Sequence, residues 1–365
     1  IKIFKMILKI YQSYIIKNYL GLLFRITLIF FGLIVILNLF EEISYFGNLD
    51  VSGFYPFLMS ALNSTSILYN IFPFIFLITT QFFFLKIDEK NELLLFKHSR
   101  LTNFNLVKLL SILSFLVGIF IITFFYHFSA KLKHMHLNIK NQMSDDNKYL
   151  AVVTENGIWM KDEMNNIVSI INAESIKQDT LINASITQFD GKYNFIQSII
   201  SKKIDIGTNY WLIKEARILK DEMKPVLEKN LRFQTNFNLE KINSLFSNLS
   251  SLSLWELNEL AKNYKSLGYS TLEVDTHTLR IYSYPFYLTI MTIFSSVIML
   301  NIKRDKPKIF NLILGILLSV VIYYINYFSN LLGENEKLPI HIAIWMPQII
   351  LIFLSSIGLV KINEK

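Results

Sequence analysis

Few residues of this chain stand at spacings that could do chemistry. In Asn91-Glu92-Leu93-Leu94-Leu95-Phe96-Lys97 one carboxylate sits beside a run of apolar side chains. Leu93, Phe96 and Lys97 fall at i, i+3 and i+4, one face of a helix. Such a short amphipathic helix either rests on lipid headgroups or docks into a soluble partner, with Glu92 as a charged anchor. Glu41 and Glu42 mark either a solvated helix end or the mouth of a polar cavity. His127, His134 and His136 cluster, but imidazoles at i, i+2 cannot share one helix face and no carboxylate is near in sequence. Solvated or interfacial histidines are expected there, not a metal centre. The phosphate-binding loop G-x-x-x-x-G-K-[ST] is missing, so the chain is not expected to hydrolyse ATP itself. H-E-x-x-H and a nucleophile elbow are missing as well. With no cysteine, thiolate metal sites, cysteine nucleophiles and disulfides are excluded. No catalytic residue, metal ligand or bound cofactor is assigned.

The elements that carry these residues are apolar. The chain is 52% hydrophobic and 18% charged, with mean hydropathy +0.39. Six runs are long enough to cross a bilayer as helices: Leu20–Phe40, Phe57–Leu85, Leu109–Phe128, Ile281–Ile302, Ile309–Leu331 and Ile342–Val360. The fold class is therefore membrane α-helical, with transmembrane helices in a 3 + 3 arrangement around a polar insert. In the second run the polar stretch Asn63–Ser66 and Pro73 predict a kinked helix whose freed backbone groups find partners in the bundle. Trp345 and Pro347 predict an interface anchor and a kink in the sixth. Arg25 is the one charge expected inside a run, close enough to its end to snorkel. That disfavours an ion-coupled transporter, since intramembrane ionisable groups mark ion pathways. Energy is expected from a partner.

Orientation follows from basic residues in short loops. Segments 1–19, 86–108, 303–308 and 361–365 hold 15 Lys and Arg against five acidic residues. Loops 41–56 and 332–341 hold Lys337 against five acidic residues. Both termini are expected in the cytoplasm, and the insert outside. The +8 net charge is thus topological, not a nucleic-acid footprint.

The insert reads as β. Tyr149–Thr154, Gly157–Lys161, Asn166–Ile171, Leu181–Phe189, Tyr193–Ser201, Tyr210–Leu219 and Leu231–Thr235 are candidate strands. Glu155-Asn156-Gly157 and Asp190-Gly191 are turn signals, the latter for a hairpin. An antiparallel sandwich or jelly roll is expected. Ser253 and Glu256 have capping-box spacing for a helix ending near Gly268, with another beginning near Thr271. The expected organisation is 1–128 for spans one to three, with a cytoplasmic helix near 88–101. The β domain follows over 129–250, a helical connector over 251–280, and the last three spans over 281–365.

Several segments resemble one family. Phe72-Pro73 and its apolar run, followed by Asn91-Glu92-Leu93, is similar to the "P…L…SEL…G" segment of the LptF/LptG (YjgP/YjgQ) permeases of lipopolysaccharide export. Ser99-Arg100-Leu101-Thr102 stands where that family often has Gly-Ile/Phe-Ser/Thr. Asn156-Gly157-Ile158-Trp159-Met160-Lys161 resembles its "G-L/I-W-x-(K/R)" strand. Trp211-Leu212 through Ala216-Arg217-Ile218-Leu219 resembles "W-x-L…A-x-V". Gly333, Leu338-Pro339 and Ala343-Ile344-Trp345-Met346-Pro347 resemble "LG…LP…AAWxP". The last motif and the Trp-bearing strands lean towards LptG.

The resemblance implies a subunit of an ABC-type exporter in the bacterial inner membrane with a periplasmic jelly roll. Its implied partners are an LptF-type permease, two LptB-type ATPase subunits that use ATP, and an LptC-type bridge protein. Lipopolysaccharide would enter between the two permeases and be pushed onto the jelly rolls. Glu92, Leu93, Phe96 and Arg100 become the ATPase-coupling residues. Arg25, Asn38, Glu41 and Glu42 lie on the implied substrate path. One departure stands out: relatives often carry lysines near the outer end of span 1, where this chain has Glu41-Glu42. Carboxylates repel lipid phosphates, so no phosphate site is carried over to them. The competing expectation is a mechanotransmitting or signalling membrane protein, moved by an ATPase without lipid passing.

Overall fold

The computed structural model describes residues 10–47, 52–99, 101–143, 158–164, 166–177, 179–207, 210–220, 224–235, 237, 248–266, 270–301 and 308–363. The strand expected at 149–154, the turn at 155–157, Arg100 and the helix end near Gly268 lie outside them. Six helical segments are long and apolar enough to cross a membrane. α1 spans Ile10–Phe46 and α2 Phe54–Glu89, followed by the short α3, Glu92–His98. α4 (Asn103–Phe120) runs through a π-turn, Ile121–Phe125, into α5 (Tyr126–Met143). Thr102 caps α4, its side chain accepting from Asn105 N at 3.2 Å. After the strands come α6 (Leu254–Ser266), α7 (Leu272–Leu300), α8 (Lys308–Glu334) and α9 (Ile340–Asn363).

The spans are longer than hydropathy predicts. An apolar window stops at the first charges, whereas the backbone ladder continues while its bonds close. The connector shortens accordingly. Its capping box is present: Glu256 Oε2 accepts from Ser253 N at 2.7 Å, and Ser253 Oγ accepts from Glu256 N at 3.4 Å. Residues 272–280, however, belong to α7.

The chain divides into two units, residues 1–132 with 275–365 and residues 133–274. In the helical unit α2 is central: 72% of its apolar window is buried, against 17% for α1 and α8. The predicted polar stretch Asn63–Ser66 is buried. Proline placement explains two cross-helix bonds. Pro73 has no N–H, so the carbonyl four residues back, that of Tyr69, loses its helical donor. Tyr284 Oη on α7 donates to that carbonyl. Pro347 likewise frees the carbonyl of Ala343, and Ser329 Oγ on α8 donates to it at 2.5 Å. Each freed group thus meets a hydroxyl on a neighbouring helix, as backbone at membrane depth requires.

Removing such a donor strands a buried carbonyl. Tyr284→Phe is expected to cost about 1–3 kcal/mol, read as a lower unfolding midpoint in detergent micelles. In a Pro73→Ala background the cost should largely vanish, because the restored backbone N–H at position 73 reclaims the carbonyl. Equal costs in both backgrounds would contradict this assignment.

In the second unit β1 (Ile158–Met164), β2 (Ile167–Lys177), β3 (Thr180–Asp190), β4 (Phe195–Asp205), β5 (Trp211–Lys220) and β6 (Val226–Phe233) form one antiparallel sheet in that order. The inserted β domain is thus present, and its described strands follow one another as a meander. Register aligns one apolar row across it: Ile171 opposite Ile186, Ile186 opposite Ile199, and Ile199 opposite Ile218. Trp211 is fully buried in this core, and its Nε1 donates to Phe237 O at 3.1 Å. The β3–β4 hairpin turns at the predicted Asp190-Gly191, but through a longer loop. Asp190 Oδ1 accepts from Lys192 N and Asn194 N, both at 2.8 Å, and Oδ2 from Asn194 Nδ2 at 2.9 Å. The Asn194 side chain and these backbone donors hold its carboxyl below its ordinary range.

Candidate functional site

Between α2 and α3 the chain reverses at Asn91, whose φ of 58° is left-handed. Asparagine tolerates that region better than most residues. The turn swings α3 back against the helical unit. Leu93 and Phe96 pack onto a cluster that includes Ile15, Tyr19, Phe83, Phe84 and Leu110. Glu92 is drawn in with them: Tyr14 Oη on α1 donates to its Oε1 at 2.7 Å, and Lys90 Nζ lies 4.0 Å away. The face predicted for docking therefore packs inwards. The outward groups are Leu94 and Leu95, 39% and 62% exposed, with His98. Sequence spacing pointed to Leu93 and Phe96 because it gives periodicity without direction. The Lys97 side chain lies outside the described residues.

The α1 candidates separate. Asn38 is buried, donating to Ser64 Oγ and accepting from Asn63 Nδ2, both at 3.2 Å. Glu42, one turn on, is also buried, whereas Arg25 and Glu41 are exposed. The acidic pair is thus split between a buried and an exposed side of one helix. Of the histidines, His134 is exposed and His136 buried.

Beyond the predicted apolar runs the helices carry further ionisable side chains. Glu42 lies on α1, and His277 and Arg280 lie on α7. The predicted start of the fourth span at Ile281 missed Arg280 by one residue, again because the apolar window ends at a charge. Arg280 lines a cavity of about 280 Å³ in the helical unit. α2 contributes Tyr69, Asn70 and Pro73 to it, and α7 also Tyr284 and Tyr287. From α8 come Tyr323, Asn326, Tyr327 and Asn330, and from α9 Ile344 and Gln348. The α8 set recurs at i, i+3, i+4 and i+7, a polar stripe on an otherwise apolar helix that was legible in the sequence.

Geometry fixes the hydrogen-bond roles beside the cavity. Arg280 Nη2 lies 2.8 Å from His277 Nδ1, and a guanidinium only donates. Nδ1 therefore accepts, and the imidazole proton sits on Nε2, 3.3 Å from Tyr126 Oη. Tyr69 and Tyr284 stack with ring centroids 4.5 Å apart, joining α2 to α7 at the same level.

None of the curated proteins matches the chain. The profile of one protein family, described as lipopolysaccharide export system permease LptF/LptG, matches residues 13–361, nearly the whole length. That match spans the six membrane-length helices and the inserted β domain alike. This multi-pass membrane protein therefore belongs to the LptF/LptG lipopolysaccharide export permease family.

Proposed function

We propose that the chain is one permease subunit of an ABC-type exporter that takes lipopolysaccharide from the bacterial inner membrane and passes it to a periplasmic bridge. The family match over residues 13–361 carries this proposal. The excess of basic residues in one set of short loops supports a topology with both termini in the cytoplasm and the β domain in the periplasm. With no phosphate-binding loop of its own, the chain depends on two LptB-type ATPase subunits. α3 is their docking element: Leu94 and Leu95 insert, while Glu92, held by Tyr14, keeps the helix seated on the bundle. The second wall of the lipid cavity is an LptF-type permease if this chain is the LptG-like one, and an LptC-type protein receives the lipid. The exposed Arg25 and Glu41 face the lipid path, and the buried Asn38 braces α1 against α2 through Ser64 and Asn63.

Affinity purification from native membranes, with mass spectrometry of bound proteins and lipids, tests this. A second permease, a nucleotide-binding ATPase and lipopolysaccharide are expected together. An ATPase that co-purifies without lipopolysaccharide or a second permease would favour a mechanotransmitting protein instead.

A further inference from the structure

The cavity around Arg280 has a one-sided chemistry. Its lining holds one cation and no carboxylate. No carboxylate among the described residues lies within ion-pair distance of Arg280, whose guanidinium spends one Nη on His277 and keeps its other donors. Hydroxyls of Tyr287, Tyr323 and Tyr327 add further donors around the same space. Gln348, 3% exposed, lines the cavity with an Oε1 that meets no hydrogen-bond partner. The Tyr69 hydroxyl likewise meets none. Buried polar groups left unpaired beside a space are the mark of a site whose partner is a ligand.

A cation on a membrane-length helix needs a counter-charge. Arginine's planar fork matches phosphate, like carboxylate, with two parallel N–H bonds, and phosphate is the anion that phospholipid headgroups share. At about 280 Å³ the cavity lies just below the roughly 300–1,000 Å³ of sites that enclose a whole drug-sized ligand. It therefore takes a headgroup, not a complete lipid. The half-exposed Tyr323 and Tyr327 and the exposed Asn70 form a mouth through which acyl chains stay outside.

We propose that this cavity, within a single subunit, is a binding site for a phosphate-bearing headgroup, with Arg280 as the anion's partner and the tyrosine hydroxyls as secondary donors. The proposal goes beyond the export function and does not depend on it, since a resident membrane phospholipid satisfies the chemistry.

The test uses the full chain purified in an uncharged detergent and titrated calorimetrically with dihexanoyl phosphatidic acid, inorganic phosphate and uncharged dihexanoylglycerol. Phosphatidic acid is expected to bind saturably at one site per chain, and dihexanoylglycerol not to saturate. Arg280→Gln should weaken binding at least tenfold, and Arg280→Lys less. If inorganic phosphate binds as tightly as phosphatidic acid, the anion site stands and its occupant is a soluble phosphate. Absence of saturable binding by either phosphate ligand, or unchanged binding in Arg280→Gln, overturns the proposal. Should Arg280→Gln not fold, the double variant Tyr323→Phe, Tyr327→Phe removes two donors at the exposed mouth. It should bind several-fold more weakly, and unchanged binding there overturns the proposal as well.

Discussion

Replacing both outward leucines of α3, Leu94→Glu together with Leu95→Glu, is expected to abolish capture of the partner ATPase while the chain still folds. Folding survives because these side chains are 39% and 62% exposed and take no part in the cluster beneath α3. Binding fails because fully burying an exposed leucine contributes about 1.5–3 kcal/mol; the surface these two still expose amounts to about one such side chain, so losing both weakens docking by roughly 1.5–3 kcal/mol, on the order of ten- to a hundredfold. Carboxylates forced into an apolar groove add a desolvation cost. Leu93→Glu or Phe96→Glu should act differently, putting a charge into the bundle's own cluster and lowering the unfolding midpoint. Glu92→Lys removes the acceptor of the 2.7 Å bond from Tyr14 and sets a second cation beside Lys90, so α3 should come away from α1. Co-purification of the ATPase and the ATPase rate of the assembled complex read the first effect. Undiminished co-purification in the double leucine variant would remove α3 as the docking element.

Gly118→Leu is expected to prevent stable assembly of the helical unit. A Cβ at position 118 would lie 2.8 Å from Pro285 Cα and 3.0 Å from Pro285 Cβ. These atoms cannot rotate away, because one is backbone and the other part of a fixed ring. Helices in a bilayer associate by close van der Waals packing where small residues let backbones approach. Even Gly118→Ala must push α4 from α7, for about 1–3 kcal/mol of overpacking. Such a separation also strains the hydrogen bond between Ser114 and Thr292, 2.8 Å across the same interface. Leucine leaves no relaxed alternative, so the chain should fail to accumulate in the membrane or elute as aggregate. Size-exclusion profiles and unfolding midpoints in detergent measure this, and a wild-type profile for Gly118→Leu would refute the contact.

Much of the fold was legible because its signals are local. Apolar run length exposed the spans, Asp190-Gly191 the hairpin position, and Ser253 with Glu256 a helix start confirmed by both bonds of its capping box. Pro73 even announced that a carbonyl would need a partner, although only the fold names Tyr284 as the donor. What stayed hidden is direction and depth. The i, i+3, i+4 pattern of Leu93, Phe96 and Lys97 defines a stripe, but tertiary packing decides that its leucine and phenylalanine face the bundle. Glu41 and Glu42 are adjacent in sequence, yet helical rotation buries one and exposes the other. Arg280 escaped notice because a hydropathy window treats a charge as a boundary. Its side chain lines a cavity between helices, a setting that a one-dimensional window does not register. The stripe Tyr323, Asn326, Tyr327 and Asn330 carried the missing information, since polar groups at helical spacing in an apolar span mark one functional face, here the one that lines the cavity.

Photo-crosslinking from α1 tests the export function most directly. A photoreactive amino acid is placed at the exposed positions of Arg25 and Glu41 in turn, in a complex assembled with the proposed ATPase and second permease. Irradiation should yield a lipopolysaccharide adduct at one or both positions, and ATP with a lipid acceptor should reduce it. A complex that hydrolyses ATP yet gives no lipopolysaccharide adduct at either position would contradict passage of the lipid along this chain.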